Sequence, residues 1–441
     1  MTSPGWVQHA IFWQVYPLGF TGAPIRDGGE AVQASPEVEG VTGSSASPQA
    51  VPRLRALINW LDYAVELGAN GLLLGPIFAS SSHGYDTLDH FAIDPRLGTE
   101  EDFEELVLAC RERGLRLVLD GVFSHVGSHH PAFLAALAAG RDDAGGRLFD
   151  VEWDAPTGPA ARVFEGHGSL VRLAHESVEA RDLVTSVMLH WLERGIDGWR
   201  LDAAYSVAPE FWAGVLPTVR EHFPEVWVVG EVIHGDYADI VARSGMDSVT
   251  QYELWKATWS ALVDRNFFEL AHAVGRHDGY LEHFVPQTFV GNHDVTRIAS
   301  RVGADGAVLA LAVLMTLGGI PSVYYGDEQG YTGIKEEREG GDDDIRPRFP
   351  DRPEELSDLG AALHRAHVDL IGLRRRHPWL ATARTEAVTT ENERLVLRSV
   401  PGPGSSSTAA ILLELDIRDG AHRARISTDD GEELWSWSGR G

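Results

Sequence analysis

The feature that most constrains the fold is an alternation of short apolar runs with amphipathic segments, repeated about eight times between residues 11 and 376. Apolar runs such as 71–78 are typical of strands buried on both faces. Segments such as 100–113 carry apolar residues at helical spacing and stop at a glycine, here Gly114. Parallel strands joined by helices produce this alternation, and eight pairs is the count of a (β/α)8 barrel. We therefore predict an α/β fold built on a TIM barrel, since doubly wound sheets usually have fewer strands.

The pattern assigns the individual elements. The predicted strands are 11–20, 71–78, 115–123, 196–201, 226–230, 248–252, 288–291 and 320–325. The predicted helices are 53–67, 100–113, 178–194, 210–222, 255–274, 307–317 and 355–376.

Two regions break the alternation. The stretch after the third strand is rich in Gly and Pro and has little periodicity, which predicts a small inserted subdomain at 127–174. Beyond Pro378 the apolar residues recur with period two, which predicts a short C-terminal antiparallel β-domain at 379–441. The barrel is then expected to comprise residues 1–126 and 175–378.

The charge and the termini restrict the partners and the compartment. A net charge of −28 argues against nucleic acid and anionic membranes as partners, because both require a basic surface. The N-terminus lacks the basic and apolar regions of a signal peptide, and no apolar run approaches the ~20 residues that span a bilayer. We therefore expect a cytoplasmic protein with a neutral small-molecule partner; the oligomeric state is left open. The single cysteine, Cys110, excludes an internal disulfide and is expected to face the core.

Acidic residues stand where the barrel strands are predicted to end, which is where barrel enzymes carry their catalytic groups. They are Asp120, Asp202, Glu231 and Asp294, accompanied by Arg200, His125 and His293. Acids of this kind can bind a metal. They also suit glycoside hydrolysis, which requires one ionised and one protonated carboxyl group about 5 Å apart in retaining enzymes.

The expected electrostatics assign different states to these acids. Arg200 is expected to lower the pKa of Asp202 and keep it ionised as a nucleophile. Asp294 is expected to help keep Glu231 protonated, because a like charge nearby disfavours ionisation. Each residue alone also has a structural interpretation, because acids after strands often cap the next helix and lone histidines are more often structural.

Five motifs in this order resemble those of the alpha-amylase family of retaining glycoside hydrolases. They are Asp120-Gly121-Val122-Phe123-Ser124-His125, Gly198-Trp199-Arg200-Leu201-Asp202-Ala203-Ala204, Gly230-Glu231-Val232, Val290-Gly291-Asn292-His293-Asp294, and the block 319–328. The resemblance covers roughly residues 10 to 375. It implies Asp202 as nucleophile, Glu231 as acid/base and Asp294 as transition-state stabiliser. It further implies a sugar subsite lined by Asp120, His125, Arg200 and His293, with Tyr85 as a stacking platform. His83, which begins the same motif, is predicted to bind substrate as well.

The chain also departs from the family pattern. Ser124 stands where the family usually has a calcium-binding Asn, which argues against calcium at this place. We predict no metal and no cofactor, and binding of a structural calcium elsewhere is left open. Tyr205 and Ser206 stand near the place of a Lys-His pair that often follows the nucleophile. The motifs around His83 and Glu231 look like those of the cyclomaltodextrinase, neopullulanase and maltogenic amylase branch, without its N-terminal domain.

The predicted function is hydrolysis of α-glucans or malto-oligosaccharides, with transglycosylation open. One alternative is an exo-acting α-glucosidase or α-glucosyltransferase, the former disfavoured by Ser82. A second is a non-catalytic sugar-binding relative. Trp153, Phe164 and His167 in the insertion are candidate distal contacts, whereas Trp255 and Trp259 fit core packing better than substrate contact.

Overall fold

Eight parallel strands form the centre of the fold in a computed structural model that describes residues 3–25, 50–141, 143–338 and 340–440. They are β1 Phe12–Val15, β2 Gly71–Leu74, β3 Arg116–Gly121, β4 Gly198–Leu201, β5 Trp227–Gly230, β6 Ser248–Val249, β7 Gln287–Phe289 and β8 Ile320–Tyr324. Each strand pairs with the next, and β8 pairs with β1. A parallel bridge between Thr250 and Gln287 joins β6 to β7. The sheet is therefore closed, and the predicted barrel is confirmed.

Helices follow the strands and cover the outside of the barrel. The longer ones are Leu54–Ile58, Leu61–Leu67, Glu100–Glu112, Val178–Glu193, Pro209–His222, Tyr237–Ser244, Tyr252–Val263, Phe267–Tyr280, Ile298–Thr316 and Ala361–Arg376.

Several element predictions were wrong in extent. The first strand ends at Val15, because Pro17 begins a short helix, Pro17–Phe20, at the position that proline favours. The predicted helix 255–274 is two helices, since Arg265 adopts a left-handed backbone (φ 52°) and Asn266 caps the second one. The predicted helix 53–67 is likewise split into two.

The helix Ile298–Thr316 is the one helix in the described ranges that is long and apolar enough to cross a membrane by length and composition. The sequence predicted only the second part of it, as a helix over 307–317. Gly303 breaks its backbone (φ 72°, ψ 171°), and 67% of the apolar window is buried inside the protein. This is the pattern of a core helix.

Strand alternation separates the core from the barrel mouth. On β4, Trp199 and Leu201 are fully buried and belong to the main apolar core. Arg200 lies between them in sequence, in register with Asp120 of β3, and faces the opposite way. The predicted core position of Cys110 is confirmed, and burial raises the pKa of its thiol to about 12.

The region after β3 forms a small separate structure. The strand His125–Gly127 pairs antiparallel with Leu170–Arg172, and the chain between them includes the helices Pro131–Ala139 and Ala144–Leu148. A second short ribbon pairs Val151–Glu152 with Ala160–Ala161. The exact boundaries at 127, 174 and 378 stay a prediction.

The C-terminal part is a five-stranded antiparallel sheet, as predicted. Its strands are β9 Arg384–Thr390, β10 Arg394–Val400, β11 Ile411–Asp416, β12 Ala421–Thr428 and β13 Glu433–Arg440. On β10, Leu395 and Leu397 are buried and their neighbours half-buried, which reproduces the period-two pattern of the sequence.

Candidate active site

The acids predicted at the ends of β3, β4 and β5 meet around one guanidinium group. Nη1 of Arg200 lies 2.6 Å from Oδ2 of Asp120 and 3.3 Å from Oδ1 of Asp202. Nη2 of the same arginine lies 2.8 Å from Oε1 of Glu231. All of these side chains are at most 10% exposed. We call Asp120, Arg200, Asp202 and Glu231 the Arg200 cluster.

Further groups hold the Glu231 carboxylate. Its Oε2 accepts a hydrogen bond from the backbone N–H of Ala203 (2.9 Å), which lies in a left-handed conformation (φ 44°) uncommon for a non-glycine residue. Its Oε1 accepts one from the Tyr252 hydroxyl (3.0 Å), which in turn accepts one from Nδ2 of Asn292 (2.9 Å). Sequence reasoning missed Tyr252 as a site residue, because the segment 248–252 looked like a strand. Its position shortly after the end of β6 was the signal that could have placed it at the site.

Asp294 lies in a different environment. Its Oδ2 is 2.9 Å from Nε2 of His293, and its Oδ1 accepts a hydrogen bond from Nη2 of Arg346 (2.9 Å). Arg346 also donates from Nε to the His293 carbonyl oxygen (2.9 Å) and contacts Asp342 (3.0 Å). We call His293, Asp294 and Arg346 the Asp294 site. Sequence reasoning missed Arg346, because it lies in an irregular loop far from the motifs.

Tyr85 connects the Arg200 cluster with the Asp294 site. Its hydroxyl donates to Oδ2 of Asp120 (3.1 Å) and lies against Nε2 of His293. The ring is partly exposed and parallel to that of His293, with an angle of 2° between the planes. A backbone hydrogen bond from Tyr85 to Nδ1 of His83 (3.2 Å) holds the loop. His83 therefore lies behind Tyr85 and supports it.

His125 and His293 are both bonded to protein groups. In His125, Nδ1 is 2.7 Å from the Ser124 hydroxyl and Nε2 is 3.0 Å from the Tyr85 carbonyl oxygen. Burial lowers the pKa of His125 to about 4, so its ring is neutral at pH 7. In His293, Nδ1 is 3.2 Å from Nε2 of Gln14. These bonds fit the structural interpretation of His125 as well as a place in a sugar subsite.

Arg200 lowers the pKa of Asp202, as predicted, but other effects at this carboxyl group are larger. Burial and the neighbouring Glu231 raise the pKa of Asp202 well above its usual range, and Arg200 only partly opposes them. Burial also raises the pKa of Asp120. Arg200 cannot hold Asp202 ionised by itself, because three buried carboxyl groups share its one charge.

At Asp294 the neighbouring groups outweigh burial, and the pKa of the carboxyl group is lowered. Burial acts to raise its pKa, but His293, Arg346 and Arg200 together lower it well below the usual range. Asp294 is therefore ionised throughout the neutral and mildly acidic range. Its expected influence on Glu231 stays a prediction.

The capping interpretation does not hold for these acids. Asp202, Glu231 and Asp294 do not cap any helix of the described ranges, and their oxygens bond within the site. Core packing of the two later tryptophans is confirmed. Trp255 packs on Phe289, and Trp259 packs on the main core with the Arg301 guanidinium 4.1 Å from its ring centroid.

The residues at block one do not fit a calcium site. The Ser124 hydroxyl is buried and bonded to His125. In the part of the chain that the structure describes, three or more His, Cys, Asp or Glu residues do not group in a metal-binding arrangement. The absence of a cofactor stays a prediction.

Comparison with known proteins gives a consistent picture. A family model described as the alpha-amylase catalytic domain matches residues 42–146 and 163–354. Neopullulanase 2 of Thermoactinomyces vulgaris is 33% identical over 351 residues, covering 75% of this chain and 58% of the relative. The intracellular maltogenic amylase of Bacillus subtilis is 30% identical over 345 residues, covering 75% of this chain and 57% of the relative. The chain thus spans less than two thirds of the length of these relatives.

One similar solved structure matches the full length. The ligand-free cyclic α-maltosyl-(1→6)-maltose hydrolase of Arthrobacter globiformis is 26% identical, with a TM-score of 0.78 and 100% of both chains covered. The same enzyme is known in complexes with cyclic α-maltosyl-(1→6)-maltose and with maltose.

Proposed function

The chain belongs to the alpha-amylase family, and we propose that it is a retaining hydrolase of α-glucans and malto-oligosaccharides. The observation that carries the proposal is the contact of a single buried guanidinium, that of Arg200, with both Asp202 and Glu231. A retaining glycosidase requires two carboxyl groups beside one anomeric carbon, and they must differ in protonation. Two like charges in a buried site disfavour each other, so the pair is suited to hold one proton between them.

In the first step, the Asp202 carboxylate attacks the anomeric carbon as the bond from that carbon to the glycosidic oxygen breaks. Glu231 gives its proton to the leaving oxygen, which departs as a hydroxyl group. The product is a β-glycosyl ester on Asp202 and an ionised Glu231. Positive charge that develops on the sugar ring in the transition state is stabilised by the ionised Asp294.

In the second step, Glu231 takes a proton from a water molecule as the water oxygen attacks the anomeric carbon. The ester bond to Asp202 breaks, its carboxylate is regenerated, and the sugar is released with its original α configuration. A sugar hydroxyl that takes the place of the water gives transglycosylation by the same proton transfer.

The sugar next to the cleaved bond would lie against the partly exposed Tyr85 ring, since aromatic faces bind the apolar faces of sugars. Asp120, Arg200, His125 and His293 form the wall around it through the hydrogen bonds described above. His83 supports this wall through the Tyr85 backbone and makes no direct contact in this proposal.

The substrate is proposed to be a short neutral α-glucan. The relatives' names, neopullulanase and maltogenic amylase, and the maltose and cyclic maltosyl-maltose complexes of the structural neighbour support this class. A cytoplasmic location is proposed as well, supported by the name of the intracellular relative.

A substrate panel tests the function. We expect the purified protein to release products from maltotriose, pullulan or cyclodextrin. The products are identified by chromatography. Release of single glucose units alone, above all from isomaltose, would favour the α-glucosidase alternative. Binding without turnover of any α-glucoside would instead favour the sugar-binding alternative.

Azide rescue tests the two roles separately. With an α-glycosyl fluoride as substrate, Asp202→Gly plus azide is expected to give a β-glycosyl azide, because azide occupies the place of the nucleophile. Glu231→Ala plus azide is expected to give the α-azide, because azide then attacks the covalent intermediate from the opposite face. Identical anomers from both variants would contradict the assigned roles.

A further inference from the structure

The tip of the inserted region contacts two sides of the cleft with consecutive residues. The Phe164 ring stacks on His125, with ring centroids 4.5 Å apart and planes at 26°. Glu165, the next residue, accepts a hydrogen bond at Oε1 from the Tyr205 hydroxyl (2.7 Å). The insertion therefore spans the cleft from the sugar wall to the segment that follows the nucleophile.

Tyr205 stands beside the proposed acid/base. Its backbone N–H donates to the Glu231 carbonyl oxygen (3.2 Å), and its ring lies 5.5 Å from that of His234. Glu231 protonates the leaving-group oxygen in the proposed mechanism, so its neighbours Tyr205 and His234 line the leaving-group side. His125 lines the opposite side.

The chain reverses direction tightly at the tip of the insertion, residues 164–166. Glu165 and Gly166 both have positive φ angles, 46° and 82°. A non-glycine residue rarely adopts this conformation unless its surroundings hold it. The base of the tip is fixed by a backbone hydrogen bond from Phe164 to Leu170 (2.9 Å), and the Glu165 side chain is held by Tyr205.

We propose that the Glu165–Tyr205 hydrogen bond is a specificity-determining closure of the leaving-group side, which favours short α-glucans over long chains. The inference rests on the proposed function and deepens it. A leaving group of one or two sugar units ends beside Glu231. A longer chain continues past Tyr205 and has to displace Glu165, so it loses the hydrogen bond that short substrates leave intact.

The test compares two substrates in matched variants. Tyr205→Phe keeps the ring beside His234 but removes the donor, and Glu165→Ala removes the acceptor. Glu152→Ala, at an exposed glutamate in the same insertion, is the control. The measured quantity is the ratio of kcat/KM on long-chain amylose to kcat/KM on maltotriose.

We expect this ratio to rise about fivefold in Tyr205→Phe and Glu165→Ala, the factor that corresponds to one ordinary hydrogen bond. The control is expected to match the wild type. An unchanged ratio in both variants would overturn the inference, since general destabilisation lowers both activities together. If Tyr205→Phe fails to fold, Glu165→Ala decides alone.

The wild type separates this inference from the function itself. Turnover of maltotriose with unchanged ratios in the variants refutes only the closure. Absence of turnover on both substrates in the wild type refutes the closure, and absence of turnover on pullulan and cyclodextrin as well refutes the proposed function.

Discussion

The two acidic regions of the cleft, the Arg200 cluster and the Asp294 site, use the same residue types with opposite results. In the first, one guanidinium contacts three carboxyl groups, and the pKa of Asp202 is raised well above its usual range. In the second, one carboxylate has both Arg346 and His293, and the pKa of Asp294 is lowered. Exposure adds to the contrast, since the side chain of Asp294 is 29% exposed and that of Asp202 10%.

The difference teaches that the ratio of cations to carboxylates decides the charge state of each region. The Arg200 cluster has too little positive charge for its acids, so it tends to hold a proton that can be transferred. The Asp294 site has its negative charge matched, so it keeps that charge. Environments that push pKa values apart are a mark of acid/base assignments.

Removal of the nucleophile is expected to have the largest effect. Asp202→Asn cannot form the covalent intermediate and should lower kcat at least ~10³-fold, in line with the loss of essential catalytic groups. The measurement is the steady-state rate on maltotriose. Asp264→Asn, an exposed aspartate beyond the site, should leave the rate unchanged. Near-normal turnover by Asp202→Asn would contradict the assignment.

Removal of the shared cation tests the balance of the Arg200 cluster. Arg200→Met removes the guanidinium that contacts three buried acids and should lower the free energy of unfolding by about 3–5 kcal/mol at pH 7. The acids then have folded pKa values above their unfolded ones, so stability is retained at low pH and lost as the pH rises. Urea unfolding at pH 5 and pH 7 measures this; an equal deficit at both would contradict the shared-charge account. Arg243→Met, which breaks surface ion pairs, should show no such pH dependence.

Arg346→Met tests the opposite region. Asp294 has a folded pKa below its unfolded one, so its stabilisation is present above the unfolded value of 3.8 and is lost as the pH falls below it. The variant should lose about 1–3 kcal/mol at pH 7, the value of a hydrogen bond to a charged group, and less below pH 4. The acid limb of kcat/KM should move to higher pH.

Asp342→Asn is the control for Arg346→Met. It removes the other carboxylate partner of Arg346 while the contact with Asp294 is kept. Its acid limb should stay near that of the wild type. A shift as large as in Arg346→Met would show that Arg346 does not act through Asp294.

The smallest effect is expected at Tyr252, which hydrogen-bonds to Glu231 and Asn292. Tyr252→Phe removes the donor to Glu231 and the acceptor for Asn292, which should lower kcat by roughly tenfold or less with little change in KM. Tyr331→Phe, on the loop after β8, is the matched control. An equal loss in both variants would indicate a general packing effect.

Much of the architecture could be predicted because it depends on local patterns. Period-two and 3.6-residue repeats predicted the barrel and the C-terminal sheet, and the strand ends predicted which acids would meet. Local breaks were harder: the helix start at Pro17 and the split at Arg265 each depend on one backbone conformation. The residues Tyr252 and Arg346 were missed because nothing in their own segments marks them as partners of Glu231 and Asp294.

The sequence by itself determined the barrel, its family and the acids at the strand ends, because each of these is written in short contiguous motifs. Only the tertiary structure decided how the charges are divided. Arg200 contacts three acids, whereas Arg346 contacts two, Asp294 and Asp342. Glu165 reaches Tyr205 across the cleft. A pKa or a closure depends on distances and burial between segments far apart in the chain, which no local pattern contains.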